Sequence, residues 1–378
     1  MKPIRTYFFI ADHVQKFDDS MIYLAEGLQS LGLPFYANRD FYKADVDAEY
    51  LFRHDPKVSF SDCDIVILSY TWFDYLDEES YQRFKQEPPD GLFNPGRQYK
   101  VVYLDPTDGY RTSSWGPYFR NFDLILRAKY NKRTMNPSNL RPWVLGYTDR
   151  ITRATREHLP ARQRSRSLLV NFNFSHPFEH QLRAEVKQTL LPKIGQWLPV
   201  NTRVTDKDTS AFTPYDHLMW KQTGSKHHPE YYRMLGSNLA NACFCGELVP
   251  GLPFDPTPIL RGGGKARMLR NLFGVLSRVL GKKRRIIQWD SWRFWETMLA
   301  GGVAVHIDLE LYGVELPVMP VNWKHYIGFN LSQIDRDVKR MEALGDEILE
   351  IGARGRAWAI ENYSPEASAK RLLTMLSK

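Results

Sequence analysis

The segment SWRFWETMLAGGVAV, from Ser291 to Val305, decides the fold prediction. Its apolar residues first repeat at the spacing of one helix face, then a Gly301-Gly302 pair interrupts the pattern, and a continuous apolar run follows. This order predicts a helix, a tight turn and a buried strand. The helix start offers backbone N–H groups and the forked cation of Arg293, which together can hold an anion. Glu296, one turn further on, can accept hydrogen bonds from vicinal hydroxyls such as those of a ribose; an ordinary helix with a surface salt bridge is the alternative.

The same alternation of strand and helix patterns extends along the chain on both sides of this segment. Buried strands are predicted over residues 6–12, 34–39, 64–70, 100–105, 122–128, 142–147, 167–174, 240–246 and 302–307. Helices are predicted over residues 21–31, with Ser20 as the candidate N-cap, and over 180–197, 230–239, 292–299, 333–344, 346–362 and 365–376. Strands that are apolar throughout and separated by helices favour parallel sheets covered on both faces.

A change in composition divides this pattern into two halves. Residues 150–166 are rich in arginine, contain Pro160 and hold few apolar side chains, which predicts a connection over 151–166. We therefore predict an α/β fold with two Rossmann-like domains in tandem and a cleft between them. The first domain spans 1–150, and the second spans 167–378 and ends in C-terminal helices. A length of 378 residues fits two or three domains.

The composition excludes several classes of protein. Hydrophobic residues make up 43% of the chain and charged residues 25%, which is enough for a buried core in each domain. The 24 glycines and 23 prolines are close to average and exclude collagen-like and mostly disordered chains. Three cysteines are too few for a disulfide scaffold and fit a reducing compartment. Because the sequence has neither an apolar run of membrane-spanning length nor a signal-peptide pattern, we expect a cytoplasmic protein.

The positive charge is concentrated in one segment. The net charge is +8, and nine basic residues without a single acid lie between Arg261 and Arg285. A nucleic-acid-binding protein usually spreads a basic face over a whole domain, so we do not expect nucleic acid as a partner. The basic run belongs to an insertion at about 247–287 that begins as a loop rich in proline and glycine.

The second part of this insertion predicts a basic amphipathic helix. One helix face collects the apolar side chains of Met268, Leu269, Leu272, Phe273, Val275, Leu276, Val279 and Leu280. Arg267, Arg270 and Arg278 lie on the opposite face. Such a helix can lie in an anionic membrane interface through residues 265–285, which makes peripheral membrane attachment a second option for the location. The alternative is that the helix packs onto the protein body.

In the first domain, the candidate chemical groups are acids that follow strands. Ligands of open parallel sheets bind beyond the carboxyl ends of the strands. Asp12 and His13 follow the first predicted strand, and Asp105 and Asp108 follow the fourth. The first strand is not followed by G-x-G-x-x-G, and the chain lacks G-x-x-x-x-G-K-[ST], which argues against dinucleotide enzymes and P-loop kinases.

In the second half, the pair His227-His228 lacks the spacing of a helical metal-ligand pair and predicts a surface loop.

Three stretches of the second half resemble glycosyltransferases with two Rossmann-like domains, the GT-B architecture. These families carry a pattern close to R-x-x-E-A-x-x-x-G-x-x-P-V, which stands here as Arg293, Glu296, Thr297, Gly301 or Gly302, Ala304 and Val305. The run from Tyr231 to Ser237 followed by Phe244-Cys245-Gly246, and the tail Asn362-Tyr363-Ser364, resemble segments of exostosin-like and glycosyltransferase group 1-like members. The usual proline is Ala304, and families with two glutamates eight apart would need the first at Gln288.

What the resemblance implies is a glycosyltransferase that moves a sugar from a nucleotide diphosphate sugar to a hydroxyl acceptor. The second domain would hold the donor, a UDP- or GDP-sugar. The implied donor-binding positions are Ser291, Arg293, Glu296, Gly246, Gly301 and Gly302. Glu296 would bind the ribose, and Arg293, Ser291 and Gly246 would line the diphosphate.

The resemblance also implies that the acceptor and the catalytic base of an inverting enzyme belong to the first domain. Asp12, Asp105 and Asp108 are the candidates for this base, and His13 is a weaker candidate. The acceptor would be a glycan, a polysaccharide or a lipid-linked sugar, and neither a metal nor a cofactor is expected. A sugar-nucleotide epimerase of the same fold, and a non-catalytic carbohydrate- or lipid-binding protein, are the alternatives.

Overall fold

Two parallel sheets form the framework of the computed structural model, one on each side of the predicted connection. The structure describes residues 3–11, 18–76, 83–85, 87–107, 117–134, 136–156, 159–172, 181–202, 205, 208–249, 272, 276, 279–281 and 283–377. The strands of the first half are β1 (Thr6–Phe9), β2 (Phe35–Ala37), β3 (Phe41–Lys43), β4 (Tyr50–Phe52), β5 (Ile65–Ser69), β6 (Asp74–Leu76), β7 (Arg83–Lys85), β8 (Lys100–Asp105), β9 (Leu124–Arg127) and β10 (Leu140–Pro142).

The first sheet has the order β10-β9-β8-β5-β1-β2 and is parallel throughout. Successive side chains of a strand point to opposite faces. Tyr7 and Phe9 therefore join the core on one side of the sheet, and Phe8 and Ile10 join the core on the other. Because both faces are buried, these strands appear in the sequence as continuous apolar runs.

The second half contains the second parallel sheet. Its strands are β11 (Ser165–Leu169), β12 (Val200–Asn201), β13 (Asn238–Ala242), β14 (Glu247–Val249), β15 (Arg285–Ile287), β16 (Val303–Ile307) and β17 (Ile327–Phe329). The sheet order is β12-β11-β13-β16-β17. β14 and β15 form a separate antiparallel ribbon in which Val249 pairs with Arg285, so the insertion leaves and rejoins the fold at this ribbon.

Helices connect the strands and cover the sheets. Their bounds are α1 (Asp19–Ser30), α2 (Tyr70–Phe73), α3 (Asp149–Ala154), α4 (Gln181–Thr189), α5 (Leu191–Ile194), α6 (Pro214–Gln222), α7 (Pro229–Ser237), α8 (Trp292–Leu299), α9 (Ile334–Ala343), α10 (Glu347–Tyr363) and α11 (Pro365–Leu376). The predicted α/β fold with two Rossmann-like domains, a cleft and C-terminal helices is confirmed. The domain bounds of 1–150 and 167–378 stay a prediction.

Three element predictions need correction. α1 is capped by Asp18, whose side chain accepts from the backbone N–H of Met21, and not by Ser20. The helix predicted over 180–197 is divided into α4 and α5, because α5 carries a proline in its first turn and proline lacks the N–H that a continuous helix needs. The strand predicted over 142–147 is found at Leu140–Pro142 instead, and the φ of +68° at Gly146 does not fit an extended strand over the later residues.

Two helices from the second half complete the core of the first domain. α11 packs on α1 so closely that a Cβ on Gly27 would lie 2.0 Å from the carbonyl oxygen of Pro365. Met219 of α6 belongs to the same core cluster, and the side chain of Gln222 bonds both backbone groups of Lys43 at 2.8 Å and 2.9 Å. The first sheet is therefore stabilised by segments that lie far away in the sequence. Within the described part of the chain, no helix combines the length and the apolar character needed to cross a bilayer.

Candidate functional site

The carboxyl ends of the two parallel sheets meet at the cleft. α1 follows β1, and α8 runs antiparallel to the strand β16 that follows it, so the N-termini of both helices lie at these edges. The indole Nε1 of Trp292 in α8 donates a hydrogen bond to Asp19 in α1. Near the end of β9, the side-chain amide of Asn131 donates to the carbonyl oxygens of Ile286 and Tyr312, each at 2.9 Å. These contacts hold the two sheets in one arrangement around the cleft.

Two arginines lie against one aromatic ring at this edge of the second sheet. The guanidinium carbons of Arg183 in α4 and Arg293 in α8 are 4.9 Å and 5.6 Å from the ring centroid of Phe172. Nε of Arg183 also donates to the carbonyl oxygen of Phe244 at 2.9 Å. Burial, followed by the charge of Arg293, lowers the pKa of Arg183 to about 10, so both groups are cationic at neutral pH. Two neighbouring guanidinium groups favour a bound anion, and their planar forks suit phosphate oxygens.

Positive charge from the first domain approaches the same place. Lys129 follows β9 and its ammonium donates to the carbonyl oxygen of Pro106 at 3.4 Å. Burial raises the pKa of the nearby Cys245 thiol to about 11, although Arg183 and Lys129 both act in the opposite direction. The thiol is therefore protonated at neutral pH and is a poor nucleophile. The groups that can bind an anion here are the cations around this thiol.

Glu296 lies one turn beyond Arg293 and is held by two tyrosines. Its carboxylate accepts hydrogen bonds from the hydroxyl of Tyr231 at 2.8 Å and from the hydroxyl of Tyr232 at 3.3 Å. Only 4% of the residue is exposed, and this burial raises the pKa of the carboxyl despite both hydrogen bonds. Each carboxylate oxygen keeps a further lone pair for a ligand hydroxyl. The tyrosines thus orient an acceptor of hydrogen bonds next to the arginine pair.

Tyr232 connects Glu296 to a chain of buried polar groups. Nη1 of Arg150 donates to the Tyr232 hydroxyl at 2.7 Å and lies 3.2 Å from Nδ1 of His227. Nε2 of His227 lies 3.1 Å from Oδ1 of Asp216. Burial lowers the pKa of His227 to about 4, so the neutral ring accepts from Arg150 and donates to Asp216. The prediction of a surface loop at this histidine was wrong, because the ring is buried in this network.

The predicted donor positions at the start of α8 lie together. Ser291 is the N-cap of α8, is half-buried, and makes no capping hydrogen bond with its side chain. Arg293 and Glu296 follow on the first turns of the same helix. Gly246 lies beyond β13 at the same edge of the sheet and has a φ of +86°. A Cβ there would lie 2.1 Å from the carbonyl oxygen of Ile287, so close backbone packing accounts for this glycine.

Gly301 and Gly302 lie at the opposite end of α8. A helix of this length places them about 12 Å from its N-terminus. Gly301 has a φ of +68°, which suits the turn that ends the helix. A Cβ on Gly302 would lie 2.6 Å from Nδ2 of Asn241. The structure therefore does not bring these two glycines to the arginine pair, and the turn and its tight packing account for them.

Of the predicted first-domain bases, only Asp105 lies among the described residues; Asp12, His13 and Asp108 do not. Asp105 ends β8 and is 2% exposed. It accepts hydrogen bonds from the backbone N–H of Thr107 at 3.1 Å and from the hydroxyl of the same residue. Its Oδ2 lies 3.7 Å from Nε of the buried Arg127. A buried ion pair and a turn occupy this carboxylate, which favours a structural role.

Another first-domain acid lies at the cleft. Asp19 begins α1 and is 6% exposed. Burial, followed by the charge of Asp18, raises the pKa of Asp19 to about 7, against the hydrogen bond from Trp292. A carboxyl group that titrates near neutrality at a cleft is suited to proton transfer. Among the residues that the structure describes, no group of three or more His, Cys, Asp or Glu side chains is placed to hold a metal ion.

Sequence reasoning missed Arg183, Arg150 and Asp19. A signal existed for Arg183, which stands, like Arg293, in the first turn of a helix at the carboxyl edge of the sheet. No local signal existed for Arg150, because its partners are 77 and 82 positions away in the sequence. Asp19 lies just before the predicted first helix, and only its contact across the cleft distinguishes it from an ordinary helix cap.

Solved structures similar to this chain include complexes of an alpha-glucosyltransferase. The complex with UDP-glucose and DNA containing an abasic site has a TM-score of 0.52 at 9% identity, and the match covers 100% of both chains. The complex with UDP and a 13-mer DNA containing a HMU base has a TM-score of 0.52 at 10% identity, with 100% of both chains covered. The complex with UDP and a 13-mer DNA containing a central A:G mismatch gives 0.51 at 9% identity, again with 100% of both chains covered.

No protein-family model and no curated protein sequence matches the chain. The similarity to solved structures is one of fold, since so few residues are identical. It agrees with the two parallel sheets, the cleft and the C-terminal helix that returns to the first domain. The chain has the GT-B glycosyltransferase fold, as the resemblance of its second half implied.

Proposed function

We propose that this protein is a glycosyltransferase that takes a sugar from a nucleotide diphosphate sugar and transfers it to a hydroxyl group. The observation that carries the proposal is the placement of Arg183 and Arg293 against Phe172, at 4.9 Å and 5.6 Å, with Glu296 one helix turn away. Cations for a diphosphate and an acceptor for ribose hydroxyls then stand side by side. A nucleotide diphosphate presents the complementary pair, an anionic diphosphate and the hydroxyl groups of its ribose.

The two arginines would bind the diphosphate together with the N-terminus of α8. Ser291 and Gly246 line the same edge of the sheet, and Glu296 would accept hydrogen bonds from the ribose. When the bond to the sugar breaks, negative charge develops on the leaving diphosphate. Fixed guanidinium groups and helix N–H dipoles stabilise that charge in the transition state more than in the ground state, which is how they would accelerate the transfer.

The acceptor would lie against the first domain, which supplies the base in an inverting reaction. That base removes the proton of the acceptor hydroxyl while the oxygen attacks the sugar carbon and the diphosphate departs. Asp12 and Asp108 remain candidates from the sequence, and Asp105 is the weakest because Arg127 and Thr107 occupy its carboxylate. Asp19 is a further candidate because it lies at the cleft. A retaining reaction would need none of these as a base.

We propose a UDP- or GDP-sugar as donor and a glycan, a polysaccharide or a lipid-linked sugar as acceptor. The similar solved structures hold UDP or UDP-glucose, which supports a uridine nucleotide. They also hold DNA, so a hydroxyl group on DNA is the competing acceptor. The concentration of basic residues in one segment, instead of over a whole domain, favours the glycan acceptors.

The test is incubation of the full chain with labelled UDP- and GDP-sugars, with and without acceptors that include oligosaccharides, lipid-linked sugars and DNA containing a HMU base. Transfer to an acceptor, or slow hydrolysis of the donor alone, is the expected result. Arg293→Gln should lower either signal by about tenfold or more. Conversion of the donor into its epimer would identify the epimerase alternative, and the absence of any product would favour a non-catalytic binding protein.

A further inference from the structure

Four described apolar residues near the end of the insertion, three of them helical, expose their side chains. Leu272, Leu276, Val279 and Leu280 are 60%, 42%, 77% and 54% exposed. The backbone N–H of Leu280 donates to the carbonyl oxygen of Leu276 at 2.9 Å, and residues three and four apart lie on the same side of a helix. These four side chains are not covered by the described part of the chain. Leu269 and Phe273, predicted to share their face, lie outside the described residues.

Positive charge borders this apolar face. Lys283 and Arg284 follow it directly and are both exposed, and Arg284 also pairs with the carboxylate of Glu185 at 3.5 Å. The surrounding sequence from Arg261 to Arg285 contains no acid. Exposed leucines and valines beside cations match the interface of an anionic membrane, where acyl chains accept the apolar groups and headgroups attract the cations. A nucleic acid would satisfy the charges but would leave the apolar side chains in water.

The position of this face relative to the cleft gives it a functional meaning. The insertion returns to the fold through β15, whose Arg285 pairs with Val249. Arg133 of the first domain donates to the carbonyl oxygens of Arg284 and, at 2.6 Å, of Leu311. The base of the insertion is thus held by residues from both domains beside the cleft. A surface bound at the insertion would therefore lie near the site.

We propose that this protein docks on anionic lipid membranes through a membrane-docking face formed by Leu272, Leu276, Val279, Leu280, Lys283 and Arg284. Docking would hold the cleft close to the lipid surface, where a lipid-linked acceptor is confined. The binding itself does not depend on the proposed transfer reaction. Membrane binding can be measured without adding a sugar donor or an acceptor.

The test is co-sedimentation of the full chain with vesicles of phosphatidylcholine, alone or mixed with phosphatidylglycerol. The protein should bind the anionic vesicles only, and added salt should release it because the charges are screened. Val279→Asp should lower the partition coefficient about tenfold or more, since it removes apolar burial and adds repulsion. Lys283→Gln should lower it about fivefold, the contribution of one basic residue at such a surface.

Matched control variants change exposed residues elsewhere in the chain. Val321→Asp alters a valine that is 53% exposed, and Lys324→Gln alters an exposed lysine. Both should bind the anionic vesicles like the unmodified protein. Equal recovery in the supernatant with both vesicle types would overturn the proposal, and so would equal loss of binding in Val279→Asp and Val321→Asp.

Two further results would replace the membrane by another partner. The face is a nucleic-acid site if the protein binds duplex DNA but not vesicles, and if Lys283→Gln weakens the DNA complex while Val279→Asp does not. If the protein is a dimer by sedimentation equilibrium, does not bind vesicles, and Val279→Asp makes it monomeric, a second copy of the chain covers the apolar side chains. Either outcome would contradict membrane docking.

Discussion

The carboxylate of Asp19, at the start of α1, accepts a hydrogen bond from the indole of Trp292, at the start of α8. The two residues are 273 positions apart and belong to opposite sides of the cleft. The ammonium of Lys226 lies 4.7 Å from the centroid of the same indole ring. Asp19 is buried at this contact, and burial is the main reason for its raised pKa, whereas the hydrogen bond from Trp292 lowers the pKa. The contact therefore links the arrangement of the domains to the protonation of a cleft carboxyl group.

This burial predicts that the protein loses stability as the pH rises toward 7. Burial raises the pKa values of Asp19 and Asp290 to about 7 each, whereas an unfolded aspartate titrates near 4. Between these values the folded state binds more protons, so the free energy of unfolding falls as the pH rises from about 4 to about 7. The loss should be about 2 to 4 kcal/mol per carboxyl group. Urea unfolding at a series of pH values measures it.

Substitution identifies the groups responsible for this slope. Asp19→Asn should remove about half of the dependence on pH, because the amide does not ionise while Asp290 still does. Asp47→Asn, which alters an exposed carboxyl group, should leave the slope as it is. A flat profile in the unmodified protein, or equal slopes in Asp19→Asn and the unmodified protein, would contradict the assignment.

Glu296→Gln should weaken productive donor binding. The amide keeps the shape of the carboxylate but loses its charge, and a hydrogen bond to a charged group is worth about 1.5 to 3 kcal/mol. The value of kcat/KM for the donor should fall accordingly, by about tenfold or more. Tyr231→Phe, which removes the hydrogen bond of 2.8 Å to this carboxylate, should cause a smaller loss. Glu342→Gln, on an exposed part of α9, is the control, and a loss of the same size there would refute the specific role of Glu296.

One acid of the first domain should be needed for turnover but not for nucleotide binding. The expected division is that the second domain holds the donor and the first domain holds the acceptor and its base. Alanine variants of Asp12 and Asp108, and Asp19→Asn, should include one that loses turnover while its affinity for UDP or GDP stays nearly unchanged. Transfer assays and titration calorimetry separate these two quantities. Near-normal turnover in all three would indicate either a base elsewhere or a retaining reaction.

Asp105→Ala should lower the free energy of unfolding, because Asp105 has a structural role and not a catalytic one. The variant leaves the buried guanidinium of Arg127 without the carboxylate that lies 3.7 Å away. Removing one partner of a buried ion pair typically costs about 3 to 5 kcal/mol. Chemical unfolding should show a loss of this order. An Asp105→Ala protein of unchanged stability that has lost turnover would instead favour Asp105 as the base.

How far the sequence predicts this fold depends on whether a segment is defined by its own pattern. β8 was predicted with its observed bounds, Lys100–Asp105, because a strand buried on both faces is apolar throughout. α8 was predicted over the residues it occupies, because its apolar face and its glycine stop lie within the segment itself. By contrast, the packing of Met219 into the core of the first domain depends on distant partners that no local pattern reveals.

The residues of the candidate site also fall into those that a local pattern predicts and those that depend on distant partners. Arg293 and Glu296 were predicted because they stand on one helix at a spacing that resembles the donor-site pattern of GT-B glycosyltransferases. The hydrogen bonds that connect Glu296 through Tyr232 to Arg150 join three segments and depend on the folded chain. Asp19 gains its raised pKa from burial in the folded chain and from the charge of Asp18, against the hydrogen bond from Trp292. Long-range contacts therefore account for most of what the sequence left out.

The central claim, that the second domain binds a nucleotide diphosphate at Arg183 and Arg293, is tested most directly by titration calorimetry. UDP, GDP and the corresponding monophosphates are titrated into the full chain, into Arg183→Gln and Arg293→Gln, and into Arg120→Gln, an exposed arginine of the first domain, as control. We expect one diphosphate to bind more tightly than its monophosphate, and each site variant to weaken it by about 1.5 to 3 kcal/mol, roughly tenfold to a hundredfold, while the control does not. Failure of both diphosphates to bind, or equal affinity in all four proteins, would contradict the claim.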